Sequence, residues 1–459
     1  MRRALALVDG EHYPPVIRDA FAALETRGVR VVAAVVLGGT EKVAGHGAEL
    51  HLGVPLAWAP RAADLAALGR TVADAANAHQ PELVFDLSDE PVLSPRTRMQ
   101  LAAVVLHQGL PYEGADFRFT PPPRPRLADR PTIAVIGTGK RTGKTAVSGE
   151  ITRHLLRRGR RPVVVAMGRG GPPEPLVVPA GMPLGVSELL AIADGGGHAA
   201  SDFYEDALTT GAATVGARRC GGGLAGAVVD TNVPAAMAAA ADLEGDICVL
   251  EGSGSAVPPV HADATALVVP CDADTEVVSG YLGAYRLLLA DLVIATMCEP
   301  PRSSVAQTAA LLEALRNISR EVPVLLTVLR PVPLDTVTGT RVFFATTAPE
   351  ATGTVLVDSL QERYGCQVVA SSHHLADRPA LQLDLQQAPD YEVLLVECKA
   401  AAVDVAARNA SVRGARVVFC DNRPIPVDVT GDEQETAVSA AVDVMTELAE
   451  HRFHEASGS

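Results

Sequence analysis

Apolar and polar positions alternate along this chain in the order expected of strands and helices that follow one another in a parallel sheet. Short runs rich in Val, Ile, Leu and Ala end at glycine, proline or acidic residues, and stretches with apolar residues three or four positions apart lie between them. The short runs predict buried strands and the longer stretches predict amphipathic helices. The pattern therefore predicts an α/β protein built from repeated strand–helix units.

The predicted elements fall into three consecutive groups. In the first group we expect strands at 4–8, 29–37 and 83–87 and helices at 16–26, 62–78 and 95–107. In the second we expect strands at 133–136, 163–167, 226–229, 246–250, 266–270 and 292–296, with helices such as 187–194 and 275–290. In the third we expect strands at 324–328, 342–345, 368–370, 393–397 and 417–421, and a disordered tail at 451–459.

The strand predicted at 133–136 runs directly into a glycine-rich loop that opens a helix. In such a loop backbone N–H groups surround a polyphosphate, Lys144 reaches the β- and γ-phosphate oxygens, and the Thr145 hydroxyl ligates Mg²⁺. The alternative is a strand-to-helix turn with a solvated lysine. The residues expected to bind the nucleotide are Gly137, Gly139, Lys140, Arg141, Thr142, Gly143, Lys144, Thr145 and Ala146.

A proline-dense segment at 121–131 separates the first group from this loop, because proline is excluded from helix interiors and central strands. We therefore expect an N-terminal Rossmann-like parallel α/β domain at 1–125 and a P-loop NTPase α/β domain at 131–320. A C-terminal α/β lobe at 321–459 either stands alone or continues the P-loop sheet, and the sequence does not decide between these two arrangements.

The loop is one residue longer than the commonest form, because five residues separate Gly137 from Gly143. This spacing resembles that of dethiobiotin synthetase and the cobyrinate amide ligases, which use ATP to activate an acid group. It is less similar to the ATPases that position proteins or plasmids, in which a lysine directly follows the first glycine; here Lys140 stands three residues beyond it. No Asn-Lys-x-Asp motif occurs to recognise guanine, which favours ATP.

Several residues outside the loop are candidates for metal and anion binding. Glu251 ends an apolar strand and is the expected Mg²⁺ ligand together with Thr145, and Asp230 is the alternative carboxylate. Arg169, in a Gly- and Pro-rich loop, can clamp a phosphate. His198 and Asp202 are expected near the substrate, with His198 contacting phosphate or moving a proton. Arg218 and Arg219 are weaker anion candidates.

Three turns of the first group form a second candidate site. They follow the strands at 4–8, 29–37 and 83–87, and the carboxyl ends of parallel strands are where open α/β sheets bind ligands. Asp9, Glu11 and His12 are the expected substrate residues there, and the others lie at 38–42 and 88–91. Each turn could instead be only a helix cap.

Bulk composition limits the function classes. A net charge of −15 argues against a nucleic-acid partner, and no apolar run approaches the length needed to cross a bilayer, so we expect a cytoplasmic protein. The seven cysteines are scattered singly, and we expect reduced core thiols rather than a metal site or disulfide framework.

Taken in order around the loop, these segments resemble the cyclic 2,3-diphosphoglycerate synthetases. The segments that carry the resemblance are 6–14, 137–145, 167–172, 201–206, 251–254 and 296–300. The resemblance implies an enzyme that uses ATP and Mg²⁺ to join the two phosphates of 2,3-diphosphoglycerate into a cyclic anhydride, releasing ADP and phosphate. The expected catalytic residues are Lys144, Lys140, Arg169 and His198, and a homodimer is one arrangement the sequence allows.

Two other hypotheses remain open at this point. A carboxylate-activating ligase of the dethiobiotin or cobyrinate type would share the loop and Glu251 but would require fewer cationic groups. A regulatory P-loop ATPase without a small-molecule product is disfavoured by the absent early lysine and by the large N-terminal domain.

Overall fold

The protein, described here from a computed structural model over residues 1–39, 50–60, 65–427 and 432–458, contains two compact units. The first comprises residues 1–123, 274–289 and 312–322, and the second comprises 124–273, 290–311 and 323–459. Most of the turn expected at 38–42, and the start of the helix expected at 62–78, lie outside the described residues. No described helix is long and apolar enough to span a membrane.

The first unit is built on a six-stranded sheet with the order β3-β2-β1-β4-β5-β6. Its neighbouring strands are parallel except for the pair β5–β6. The strands are β1 (Arg2–Val8), β2 (Val29–Val36), β3 (Leu56–Trp58), β4 (Leu83–Asp86), β5 (Tyr112–Glu113) and β6 (Arg118–Phe119), and the helices are α1 (Pro14–Thr26), α2 (Leu65–His79) and α3 (Pro95–His107).

The helix expected at 275–290 is two short helices, α8 (Thr275–Ser279) and α9 (Gly283–Leu288). The break falls at Tyr281 and Leu282, which both have positive φ. Both short helices belong to the first unit, where the Gln100 side chain of α3 donates to the Ser279 carbonyl at 3.0 Å. Periodicity alone did not predict this break, because the apolar spacing continues through it.

The remaining elements belong wholly or largely to the second unit. Its strands are β7 (Thr132–Gly137), β8 (Pro162–Gly168), β9 (Leu176–Val178), β10 (Ala213–Cys220), β11 (Asp230–Thr231), β12 (Ile247–Glu251), β13 (Ala264–Pro270), β14 (Leu292–Thr296), β15 (Val324–Pro333), β16 (Arg341–Ala345), β17 (Gln367–Ser372), β18 (Val393–Glu397) and β19 (Arg416–Pro426). Its helices are α4 (Lys144–Arg157), α5 (Val186–Asp194), α6 (Asp202–Thr210), α7 (Val233–Ala241), α10 (Val305–Ile318), which crosses into the first unit, α11 (Gly353–Tyr364), α12 (Arg378–Gln387), α13 (Arg408–Arg413) and α14 (Asp432–Ser457).

One 13-stranded sheet runs through the whole second unit, in the order β11-β10-β8-β12-β7-β13-β14-β15-β19-β18-β16-β17, with β9 paired to β10. The C-terminal lobe therefore continues the P-loop sheet, which the sequence had left open. The α/β fold class expected from the sequence is confirmed, and the strand that precedes the P-loop, β7, is central between β12 and β13.

A long antiparallel ladder joins the two halves of this sheet. β15 pairs in parallel with β14 at 324–326, and its second part, 327–333, pairs antiparallel with 420–426 of β19. Both strands extend beyond their predicted ends through Pro331, Pro333, Pro424 and Pro426. Prolines interrupt central strands but are tolerated where a strand edge makes no further pairing, which is why the sequence indicated shorter strands.

The ladder reverses the chain direction, so the carboxyl ends of the strands in the two halves face each other. β19, β18 and β16 are parallel to one another, and all run antiparallel to β15 and hence to the P-loop strands. One hydrophobic core spans this junction, with Ala166 and Phe203 from the P-loop half and Leu394, Val396 and Cys398 from the C-terminal half.

Three further expectations are corrected. Residues 226–229 are a loop in which Gly226 has φ +86° and Val229 is exposed, and the strand lies earlier, at β10. The tail is not disordered from 451, because α14 continues to Ser457. Cys271 and Cys298 form a disulfide, since both lie just beyond the ends of the neighbouring parallel strands β13 and β14, a proximity that single scattered cysteines do not reveal.

Candidate active site

The P-loop itself is shaped by glycines that allow close backbone approach. Gly143 has φ +95° and is the N-cap residue of α4, and a Cβ on Gly137 would lie 2.8 Å from the Thr142 hydroxyl and 3.0 Å from the Lys144 side chain. The Lys144 ammonium donates to the Gly139 carbonyl at 2.7 Å, so it is held over the loop. Burial lowers the pKa of Lys144 to about 8, against the opposing effect of Glu251.

The two expected metal residues meet at the start of this helix. The Thr145 hydroxyl donates to Glu251 Oε1 at 2.7 Å, and Glu251 ends β12, directly beside the P-loop strand. Glu251 is 2% exposed, and its Oε2 is buried without a hydrogen-bond partner. Burial raises the pKa of Glu251, with the charge of Asp202 adding to the effect. Asp230, the alternative carboxylate, lies on β11 at the far edge of the sheet.

A second buried carboxylate, Asp206 of α6, lies against Glu251. It is 1% exposed, and no N–H or hydroxyl group donates to either of its oxygens, so the carboxyl group of Glu251 is its side-chain hydrogen-bond partner when one of the two is protonated. Burial raises the pKa of Asp206 well above its ordinary value, with the charges of Glu251 and Glu205 adding to the effect. Two unpaired buried carboxyl groups in contact with each other are unfavourable unless a proton or a cation lies between them.

These residues fit a Mg²⁺ ion. Mg²⁺ usually takes one or two carboxylates, together with waters and the phosphates of its substrate, rather than an all-protein cage. In the described parts of the chain, no group of three or more His, Cys, Asp or Glu residues is arranged to hold a metal ion. The unpartnered oxygens of Glu251 and Asp206, together with the Thr145 hydroxyl, form the kind of oxygen set that such an ion requires.

The C-terminal half contributes a cation to this acidic group. Lys399, just after β18, lies 3.0 Å from Glu205 of α6, with 30% of the lysine side chain exposed. Burial opposes the charged form, but Glu205 and Glu397 outweigh it and raise the pKa of Lys399. Glu397 is itself ionised, because Lys399 and hydrogen bonds from Asn422, Thr346 and Thr347 overcome its burial and lower its pKa. Lys399 therefore connects the C-terminal lobe to α6.

The loop after β8 brings other predicted residues together. A Cβ on Gly171 would lie 2.0 Å from the Ala217 carbonyl, so the loop can follow β10 this closely only with glycine. A Cβ on Gly170 would lie 3.8 Å from the His198 ring, so the two loops are in close contact. His198 Nδ1 is 2.9 Å from the Ser201 hydroxyl. Asp202, the first residue of α6, lies beside Gly168. Arg169, Lys140 and Arg141 are exposed at this edge of the sheet.

The predicted N-terminal residues lie in the first unit, at a topological switch point. β1 lies between β2 and β4 in the sheet, and ligand crevices in open α/β sheets form where the strand order reverses in this way. Asp9 is buried and accepts from the backbone N–H groups of Glu11, His12 and Asp89, with His12 Nδ1 at 2.7 Å. The Asp9 carboxylate thus holds the turn together, and the half-buried His12 is the more accessible group.

Sequence reasoning did not select Glu205, Asp206 or Lys399. The spacing of Asp202, Glu205 and Asp206 places three acids on one helix face, a signal present in the sequence. The position of Lys399 just beyond the end of a predicted strand was a weaker indication of a site residue. Its relation to α6 depends on the reversal at the β15–β19 ladder, which the sequence did not reveal.

The fold and this site define a P-loop nucleotide-binding α/β protein. Sequence profiles of the cyclic 2,3-diphosphoglycerate synthetase family match residues 3–120 (N-terminal domain), 132–328 (P-loop domain) and 333–423 (C-terminal domain). The synthetase of Rubrobacter xylanophilus is 46% identical over 431 residues, covering 94% of this chain and 96% of that relative. The synthetase of Methanothermobacter thermautotrophicus is 40% identical over 447 residues, 96% of each chain. The chain belongs to the cyclic 2,3-diphosphoglycerate synthetase family, and the expected resemblance is confirmed.

Replacing Asp206 by Asn should stabilise the Mg²⁺-free protein. Because folding raises the pKa of Asp206, the folded state disfavours its ionisation, and the resulting destabilisation is absent below the unfolded pKa near 4 and grows as the pH rises. We expect Asp206→Asn to raise the free energy of unfolding by about 1–3 kcal/mol at pH 8 and by progressively less toward pH 4. Thermal and denaturant unfolding between pH 4.5 and 8 measure this difference.

The same variant should lose most of the stabilisation that Mg²⁺ and nucleotide together give the wild type. Asp242→Asn, which changes an exposed carboxylate at the end of α7, is the matched control and should behave as the wild type. An Asp206→Asn variant with an unchanged Mg²⁺ response would exclude Asp206 from the metal site.

Replacing Lys399 by Gln should lower the free energy of unfolding by up to about 3 kcal/mol, because it leaves the Glu205 carboxyl buried without a cation. Adding Glu205→Gln should recover most of the loss, since the resulting amide pair carries no charge. Denaturant unfolding of the wild type, both single variants and the double variant measures this coupling. Arg408→Gln, which breaks the exposed pair with Asp194, is the control and should cost under about 1 kcal/mol. Additive losses in the double variant would contradict the pairing.

Proposed function

We propose that this chain is an ATP-dependent ligase that converts 2,3-diphosphoglycerate to cyclic 2,3-diphosphoglycerate, with release of ADP and phosphate. The observation that carries the proposal is that synthetase relatives align with nearly the whole chain, all three profile regions included. The Thr145–Glu251 pair beside the P-loop supports the use of a Mg²⁺-bound nucleoside triphosphate.

The chemistry requires phosphoryl activation. Two phosphate monoesters do not condense unaided, because both are anionic and neither carries a leaving group. In the proposed reaction an oxygen of one ester phosphate attacks the γ-phosphorus of ATP, and the bond to the β-phosphate oxygen breaks, leaving ADP. The second ester phosphate then attacks the phosphorus of the first, and inorganic phosphate leaves as the ring closes.

The chain's own residues supply positioning and charge neutralisation, which dominate the catalysis of phosphoryl transfer. Lys144, held over the loop by the Gly139 carbonyl, is directed at the β/γ oxygens, and Lys140 and Arg141 extend the positive edge. Thr145, Glu251 and Asp206 would hold Mg²⁺, which would neutralise negative charge on the phosphates during the transfer.

The remaining substrate residues stay predictions within this proposal. Arg169, His198 and Asp202 gather around the loop after β8, where His198 can hydrogen-bond a phosphate oxygen while its other nitrogen faces Ser201. Asp9, Glu11 and His12 form the N-terminal candidate, in which Asp9 orients His12. The proposal includes a cytoplasmic location and a homodimer as the assembly to test. It also includes the division at 1–125, 131–320 and 321–459, in which the last segment continues the sheet of the P-loop domain.

Incubating purified protein with ATP, Mg²⁺ and 2,3-diphosphoglycerate, and following the ³¹P resonances, tests the reaction. We expect the two monoester signals to be replaced by anhydride signals of the cyclic product, with one ADP and one phosphate formed per ring. ATP consumption only with an added carboxylic acid would instead support a carboxylate-activating ligase. Slow hydrolysis independent of any acceptor would support a regulatory ATPase.

Replacing Lys144 by Ala should reduce turnover by at least about 100-fold, because a preorganised cation facing the transferred phosphoryl group is lost. The fold should persist, since a buried ammonium whose pKa is lowered contributes little stability. Steady-state kinetics and circular dichroism measure the two effects. Arg157→Ala, which removes a cation at the far end of the same helix, is the control and should keep near-normal turnover. Near-normal turnover of Lys144→Ala would contradict the assigned role.

A further inference from the structure

Two arginine side chains converge on one backbone position beside the P-loop. Gly254 has φ +60°, and a Cβ built there would lie 2.7 Å from Arg169 Nη2 and 3.0 Å from Arg219 Nη2. The two guanidinium groups therefore approach each other across a glycine that carries no side chain to separate them. Gly254 lies three residues beyond Glu251, the carboxylate of the metal site.

Arg219 is held rigidly, and part of its hydrogen-bonding capacity is unused. It is 9% exposed, and its Nη1 and Nη2 donate to the carbonyls of Gly221 at 2.6 Å and Ser253 at 2.8 Å. Its Nε is buried without a hydrogen-bond partner. Because a buried N–H group without an acceptor is costly, this arrangement indicates a site prepared for an acceptor from outside the chain.

In the described parts of the chain, the neighbouring arginine has fewer partners than Arg219. Among the described residues, Arg169 makes no hydrogen bond or ion pair through its side chain, and Arg219 pairs with no carboxylate. The two like charges oppose each other, and burial together with the charge of Arg169 lowers the pKa of Arg219. The positive charges of both guanidinium groups also contribute to the lowered pKa of Lys144, so their electrostatic effect extends to the P-loop. An anion between the arginines would relieve this repulsion.

We propose that Arg169 and Arg219 form a phosphate-binding subsite at Gly254 that holds one phosphate of the doubly phosphorylated acceptor next to the γ-phosphate position. The acceptor's identity rests on the proposed function, whereas the subsite itself requires only a phosphate monoester dianion. Guanidinium groups suit this task because their planar N–H pairs match phosphate oxygens in bidentate geometry and stay charged. Gly254 is required because any side chain there would occupy the space between the guanidinium groups of Arg169 and Arg219.

Three variants and a matched control test the subsite in the full-length chain. Arg219→Gln removes the buried charge. Arg219→Lys keeps the charge but loses the planar guanidinium group that can bind phosphate in bidentate geometry. Gly254→Ala keeps every charge but inserts a methyl group between the guanidinium groups. Arg363→Gln is the control, because Arg363 is an exposed arginine on α11 that is not one of the candidate site residues. Circular dichroism and thermal unfolding establish that each variant is folded.

Calorimetric titration with 2,3-diphosphoglycerate in the presence of ADP and Mg²⁺ provides the readout. We expect Kd to rise about tenfold or more for Arg219→Gln and Gly254→Ala, and less for Arg219→Lys. The Kd for the nucleotide should change by less than about threefold, and Arg363→Gln should match the wild type in both titrations. If Arg219→Gln does not fold, Gly254→Ala carries the test, because it retains the carbonyl contacts of Arg219.

Other results overturn the subsite or separate it from the proposed function. Equal effects of Arg219→Gln and Arg363→Gln on the Kd for 2,3-diphosphoglycerate, or a loss of affinity confined to the nucleotide, would overturn it. Cyclic product formed by folded Gly254→Ala with an unchanged KM for the acceptor would leave the function standing and overturn the subsite. Wild type that binds inorganic phosphate in an Arg219-dependent manner, yet neither binds nor converts 2,3-diphosphoglycerate, would support the subsite and overturn the proposed function.

Discussion

The arrangement of this protein depends on carboxylates that are buried beside the phosphate loop without enough cations to neutralise them. Asp206 and Glu251 contact each other through unpaired oxygens, and Glu205 lies on the same helix as Asp206. Each is costly to ionise at that depth. Such a cluster is relieved when a proton or a cation lies between the carboxyl groups, which makes it suited to the Mg²⁺ ion of the proposed reaction.

The continuous sheet is what makes this cluster possible. In the P-loop half, polar residues lie at the edge of the sheet where the parallel strands have their carboxyl ends. The strands of the C-terminal half face this edge, because the β15–β19 ladder reverses the chain direction. The site is therefore covered from the C-terminal half, and Lys399 pairs with Glu205 from that side. This gives the C-terminal lobe a physical role, because it fixes the position of α6 and thereby the orientation of its acidic face.

Positive and negative groups form two separate clusters beside the P-loop. Thr145, Glu251 and Asp206 form the cluster suited to a cation, whereas Arg169 and Arg219 meet at Gly254 and form the cluster suited to an anion. In a chain with a net charge of −15, this local excess of cations favours the binding of an anion there. The glycines of both loops allow these groups to approach the backbone closely enough to act on a phosphate.

The sequence by itself determined most of the longer strands, the P-loop, the Thr145–Glu251 pair and the family, because these depend on local periodicity and on residue types at short spacing. It indicated Arg169, His198 and Asp202 as candidate substrate residues, and the structure brings them together around the loop after β8. Only the tertiary structure decided that the C-terminal lobe continues that sheet, that Lys399 reaches Glu205, that Asp206 meets Glu251 and that Cys271 pairs with Cys298. Those contacts depend on strand order and on the reversal at β15–β19, which are set by packing between distant segments rather than by any local pattern.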